Sequence, residues 1–251
     1  MPLLTLLFFT NSALARTELI THRGYRLGSE SILKSHRLLE LEPTVEHLNK
    51  YIKHTNYKVS TADAKEIAEN IILVSKCFDL DPWIFTSLIQ KESSFMKEAT
   101  SPTNAAGLTQ FTSMGFREVN EQLGMKGTKF ATEAAINFFT KQVYECIDPN
   151  WVHLWEKVGV DEDHADFFNF SKEELKQDIP RAVTYGGILL KTYLVHIARR
   201  DADLSLEEVY FTALQYYNGE DGDAKVRYAK SIFKNISNLY PKEVSFTILK
   251  N

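Results

Sequence analysis

Glu92 occupies the position in this chain that most asks for a chemical explanation. It lies in the run from Pro82 to Glu92, which reads as a helix opened by Asp81 as its cap and Pro82 in its first turn. At about 100° per residue, Ile84, Phe85, Leu88 and Ile89 fall at roughly 0°, 100°, 40° and 140° around the axis, with a mean near 70°. Glu92 falls at about 80°, on the centre line of that apolar stripe, and Lys91 projects about 100° away from it. Burial disfavours the charged form of a carboxyl and raises its pKa. A carboxyl that stays protonated near neutrality is what general acid catalysis requires. The competing reading of the same wheel is a frayed helix end beyond the core, or an arginine partner supplied from elsewhere.

The residues after Glu92 extend the pattern. Glu92-Ser93-Ser94-Phe95 is followed by Ala99, Ser101, Ala105 and Gly107-Leu108-Thr109-Gln110. A second block, Tyr217-Asn218-Gly219, stands in the stretch ALQYYNG, with Tyr228-Ala229 downstream. Together these blocks resemble the soluble lytic transglycosylase (SLT) family. Its motif runs E-S-x-F, then A-x-S, then G-A-x-G-L-M-Q, with a later Y-N-A-G element. Residues 182–194 (AVTYGGILLKTYL) are similar to the helix that bridges the two blocks, so the resemblance covers about residues 61–240. Three positions depart from the pattern. Asn104 stands where the family commonly has Gly, Thr109 replaces Met, and Tyr217-Asn218 is followed directly by Gly219 without the Ala. The first two bear on groove shape and the third on the loop that presents Tyr217.

The resemblance implies an all-α, lysozyme-like fold of the goose-type or SLT kind, with a groove for alternating N-acetylglucosamine and N-acetylmuramic acid. It makes Glu92 the catalytic acid. Most retaining glycosidases also use a second carboxylate about 5–5.5 Å from the acid. No acid here stands in a recognised motif for that role, and a substrate-assisted route removes the need. The 2-acetamido oxygen of the muramic sugar attacks its own anomeric carbon. Glu92, now ionised, then takes the C6 hydroxyl proton as a 1,6-anhydro ring closes. By the same carry-over, Ser101 and Gln110 hydrogen-bond the sugar or its acetamido group. Tyr217 holds that group or the Glu92 carboxyl, and Asn218 fixes the loop beneath it. Each has a plainer reading: Ser101, before Pro102, suits a turn, Gln110 an exposed amide, Tyr217 a core position and Asn218 a structural one. Gly107 suits either a close backbone approach at the cleft or a simple turn.

These residues need helices to position them. Ser60, Thr61 and Asp63 offer caps for a helix whose stripe is Ile67, Ala68, Ile71, Ile72 and Cys77. Further helical runs cover residues 132–146, 181–199, 206–216 and 224–239, with a shorter one at 45–52. Strand alternation is nearly absent, so the class is all-α. The expected organisation is a leader at 1–15, an N-terminal extension at 16–60 and a catalytic domain at 61–251. That domain carries an acidic insert near 155–180. Asp161-Glu162-Asp163-His164 within it fails as a calcium loop, which would need Gly at 166 and Glu at 172 where Asp and Lys stand. A solvated turn before a helix capped by Ser171, with Glu173 and Glu174, fits better.

Composition narrows the setting. The chain of 251 residues is 44% hydrophobic and 25% charged, as folded soluble proteins are. Its 29 basic and 33 acidic residues leave a net charge of -4, without the basic excess that marks a nucleic-acid binder. Leu3 to Phe9 is a short apolar run followed by Ala13-Leu14-Ala15, the small-x-small pattern of a signal-peptidase site. No Lys or Arg precedes the run; either the amine of Met1 serves alone or the true start lies upstream. Export to the periplasm or medium is the expectation, with a core-packed N-terminal helix as the alternative. Cys77 and Cys146 form one disulfide in an exported chain, or stay as separately buried thiols. No metal, nucleotide or haem motif appears, so a cofactor-free, monomeric enzyme acting on peptidoglycan is expected. Two rivals stand beside it. A muramidase would let water attack, with Glu118, Asp148 or Asp161 as second acid. A non-catalytic peptidoglycan-binding protein would need no acid, and the presence of Glu92 argues against it.

Overall fold

Short polar residues start most of the described helices and left-handed residues stop several of them. The computed structural model describes residues 34–123, 172–219 and 222–250. Helix α1, Val45–Thr55, is capped by Thr44, which accepts from the His47 amide. Helix α2, Thr61–Phe78, is capped by Ser60 and ends at Asp79 with φ of 48°. Helix α3, Pro82–Ser93, has Asp81 as cap and ends at Ser94 with φ of 51°. Helix α4 is Ser113–Leu123. Asp178 caps α5, Ile179–Arg200, and a capping box of Ser205 and Glu208 opens α6, Leu206–Asn218. Helix α7 is Asp223–Leu239, and a 3-10 turn follows at Thr247–Leu249. Residues 172–177 are also helical. The architecture is all-α, with no strand among the described residues.

Two helices form the centre. Every residue of α3 from Pro82 to Ile89 is buried, the polar Thr86 and Ser87 included. Those two hydroxyls donate to the carbonyls of Pro82 (2.6 Å) and Ile232 (2.7 Å), which removes the cost of burying them. The inner face of α3 is therefore wider than the stripe of Ile84, Phe85, Leu88 and Ile89. Glu92 lies one turn beyond this enclosed part, where the helix reaches a cleft. Helix α5 is buried continuously from Arg181 to Val195 and packs on α2 and α6, while α7 packs on α3 and α6. Gly186 and Gly187 permit this closeness. A Cβ at Gly187 would stand 2.3 Å from Val74 Cγ1, and one at Gly186 2.5 Å from Thr109 Cγ2.

Residues 34–60 pack on this centre. Leu48 and Ile52 of α1 are fully buried against α2. The Asp81 carboxylate accepts from the amides of Leu38 (3.0 Å) and Leu39 (2.7 Å) as well as those of Trp83 and Ile84 in its own helix. Lys191, buried in α5, donates to the Lys34 carbonyl at 2.6 Å and lies 3.0 Å from His36 Nδ1. Burial, then neighbouring positive charge, pushes His36 down to about 4. Burial lowers Lys191 to about 7.

Several expectations fall outside the described residues: the leader at 1–15, the helical run at 132–146, Cys146, Asp148, Asp161 and most of the acidic insert with its Ser171 cap. Cys77 is disulfide-bonded.

Candidate active site

The cleft begins where α3 ends. Ser94 and Phe95 both take positive φ, 51° and 65°, and turn the chain sharply away from the helix axis. Phe95 is buried, so the turn is anchored by its ring, which meets Tyr51 edge-on at 6.4 Å between centroids. The following loop is folded on itself. Ala106 pairs with Thr100 on one side and Phe111 on the other, and the Ala99 carbonyl accepts from the Gly107 amide at 2.8 Å. Asn104, Gly107 and Gln110 also have positive φ, of 65°, 78° and 47°. Such backbone is costly for residues other than glycine and concentrates at functional sites. Asn tolerates it better than most residues, which explains how Asn104 replaces a glycine. A Cβ on Gly107 would lie 3.3 Å from the Leu175 carbonyl oxygen, so the glycine allows a close backbone approach.

Glu92 lines a cleft of about 950 Å³ with Ser101, Gln110, Tyr217 and Asn218. The five residues singled out from the sequence therefore share one cavity. Desolvation pushes the Glu92 carboxyl up from its ordinary 4.5 to about 7. The hydrogen bond from Tyr228 and the charge of Lys91 both oppose the rise. The Tyr228 hydroxyl donates to Glu92 Oε1. Burial first, and then the nearby Glu92 carboxyl, hold the Tyr228 phenol far above its usual value, so it stays a donor. Among the described residues that line the cleft, Glu92 is the only carboxylate. A protonated carboxyl facing such a cavity can deliver a proton to a leaving oxygen and recover one afterwards.

The companions take individual roles. Gln110 donates through Nε2 to the carbonyls of Gly107 (2.9 Å) and Ala99 (3.2 Å). Two carbonyl neighbours fix the amide's orientation and leave Oε1 as its remaining acceptor. Ser101 Oγ accepts from the Ala105 amide at 3.0 Å and lies 2.9 Å from Thr103 Oγ1, so it organises the turn at 101–105. The Tyr217 hydroxyl donates to the Thr109 carbonyl at 3.1 Å, whereas Tyr228 makes the bond to Glu92. Asn218 is the last residue of α6, before Gly219 with φ of 69°. Thr109, in place of Met, is buried and donates to the Ala182 carbonyl at 3.1 Å. Glu118 is buried in α4 and is not among the cleft-lining residues.

Tyr228 is the hydrogen-bond partner of Glu92 that sequence reasoning left without a role. Its spacing after Tyr217 matched the motif, but with Ala229, Ile232 and Phe233 it also continues an ordinary buried stripe on α7. Only the fold brings it to Glu92.

Residues 69–146 match the family model of the Transglycosylase SLT domain, which belongs to the lysozyme-like superfamily. No curated protein and no solved structure matches the chain. The matched segment contains Glu92, Ser101, Gly107 and Gln110, while Tyr217 and Tyr228 reach the cleft from helices beyond it. A helical scaffold and a buried acid that lines a cleft agree with the segment match: residues 69–146 of this chain are similar to the transglycosylase SLT domain.

Proposed function

We propose that the protein is a lytic transglycosylase that cleaves the β-1,4 bond between N-acetylmuramic acid and N-acetylglucosamine in peptidoglycan. The carrying observation is the solitary Glu92 carboxyl, held near a pKa of about 7 in a cleft where no second described lining residue is a carboxylate. A pair of acids is what the usual glycosidase routes need. Among the described lining residues Glu92 is the one acid, which suits a substrate that supplies its own nucleophile. Protonated Glu92 gives its proton to the glycosidic oxygen while the acetamido oxygen bonds to the anomeric carbon. The C6 hydroxyl then attacks that carbon, the acetamido bond breaks, and the hydroxyl proton returns to Glu92. No water is consumed, and the sugar leaves as a 1,6-anhydro end.

Tyr228 keeps the carboxyl pointed into the cleft, and Gln110 offers Oε1 to a sugar N–H or O–H. Tyr217 and Ser101 hold the walls that carry these groups. An exported, monomeric protein is part of the same reading, since peptidoglycan lies outside the cytoplasm and the segment 1–15 has a leader's pattern.

Mass spectrometry of fragments released from purified sacculi tests the reading. The expected products carry anhydro ends, one water lighter than hydrolytic ends, and Glu92→Gln releases none. Hydrolytic ends would turn the assignment to a muramidase. Equal release by both proteins would remove Glu92 from the chemistry.

A further inference from the structure

Two cations flank the hydrogen-bonded pair at the centre of the cleft. Lys91 precedes Glu92 on α3 and Arg227 precedes Tyr228 on α7, and both line the cavity. Lys91 Nζ lies 5.9 Å from the centroid of the Tyr228 ring, and Arg227, the residue before that tyrosine, lines the same cavity. Both side chains are exposed. Neither forms an ion pair with another described residue. Arg117 of α4 adds a third positive group to the lining. Against these stands the one described carboxylate of the cleft, Glu92, which burial keeps protonated up to near neutral pH. Among the described lining residues the positive groups thus outnumber the carboxylate, on a chain whose net charge is -4. Clefts lined by one sign of charge focus the field and concentrate ligands of the other sign.

We infer that Lys91 and Arg227 form an anion subsite beside the scissile bond, which takes a carboxylate carried on the 3-O substituent of the muramyl sugar. The preferred substrate is then an acidic glycan strand rather than a neutral one. This rests on the glycan-cleaving reading above. The carboxylate has two sources of the same chemistry, the peptide stem or the free lactyl acid left when the stem is removed. Exposed ion pairs are individually weak, so each cation contributes roughly three- to fivefold in affinity, and the contribution is screened by salt.

The test measures binding by calorimetry in a Glu92→Gln background, so that turnover does not intervene. Three soluble ligands of equal length are compared: strands with peptide stems, amidase-trimmed strands with free lactyl acids, and neutral N-acetylglucosamine oligomers. The Lys91→Gln/Arg227→Gln pair should weaken binding of acidic strands about tenfold and leave the neutral oligomer unchanged. Loss confined to stem-bearing strands identifies the stem as the source, loss confined to trimmed strands identifies the free lactyl acid, and loss for both shows that the subsite accepts either carboxylate. The charge-retaining Lys91→Arg/Arg227→Lys pair should bind like the parent, and the parent's own affinity for acidic strands should fall with salt. Equal weakening for neutral and acidic ligands, or none for the acidic ones, overturns the subsite and leaves the glycan-cleaving reading standing. A parent that binds none of the three ligands overturns both.

Discussion

The Tyr228 hydroxyl donates to the Glu92 carboxylate across 136 residues of chain, joining the end of α3 to the first turns of α7. Tyr228 is itself buried, so the bond is sheltered, and its geometry is fixed by two helices that pack along their lengths. That bond stabilises the ionised carboxylate, whereas desolvation destabilises it by more. The acid is therefore held between two opposing influences.

Removing the bond should shift that balance. Tyr228→Phe takes away a group that lowers the Glu92 pKa, so the pKa should rise further above 7 and the basic limb of the kcat/KM profile should move to higher pH. A charge-assisted hydrogen bond contributes about 1.5–3 kcal/mol, so kcat should fall by at least about tenfold through lost positioning and a weaker acid in the first step. A pH–rate series on both proteins checks this. An unshifted basic limb would separate Tyr228 from the acid.

The unmodified enzyme should lose kcat/KM as pH rises through about 7, because the first step needs protonated Glu92. Folding stability should follow the same group with a definite sign. The folded-state pKa lies above the ordinary 4.5, so the folded protein binds the proton more tightly than the unfolded chain does. The contribution is fully present below about 4.5 and is lost as pH rises through about 7. Glu92→Gln replaces the ionised group with a neutral one of similar shape. It should match wild type at pH 4.5 and exceed it by about 1–3 kcal/mol at pH 8, a value reduced because the cleft is open to water. Thermal melts at the two pH values measure the difference.

At the crossing of α5 with α2, added volume has nowhere to go. Gly187→Ala gains about 1 kcal/mol of helix propensity but sets a methyl 2.3 Å from Val74 Cγ1. Overpacking of this kind costs about 1–3 kcal/mol or more, so net destabilisation is expected in urea titration. Gly186→Ala should in addition reduce activity, because its methyl meets Thr109, the neighbour of Gln110.

Asp81 should be among the most sensitive polar positions. Its carboxylate serves four amides, two of them, those of Leu38 and Leu39, in the strap formed by residues 34–42. Asp81→Ala leaves those donors buried without an acceptor, at a cost of about 3 kcal/mol or more. The strap at 34–42 should become open to limited proteolysis before the rest of the domain.

How much of this was legible beforehand differs from residue to residue. Periodicity located α2, α3 and α5–α7, because long amphipathic or buried runs with capping residues leave strong local signals. The wheel placed Glu92 against an apolar face, although α3 is enclosed on all sides as far as Ile89 and the acid owes its setting to the helix end at Ser94. The bond from Tyr228 was not legible, since nothing local distinguishes a buried tyrosine that supports an acid from one that fills a core. The turn role of Ser101 was one of two open readings, and its hydrogen bonds to the 101–105 loop supply it. The positive φ of Gln110 left no trace in its residue type, because glutamine has no preference for that conformation.

Thr109 is held from both flanks: its carbonyl accepts from Tyr217 of α6 and its hydroxyl donates to Ala182 of α5. The backbone just before Gln110 is in effect riveted, so adjustment of the cavity to a bulky occupant has to come from its lining side chains and not from this stretch of main chain.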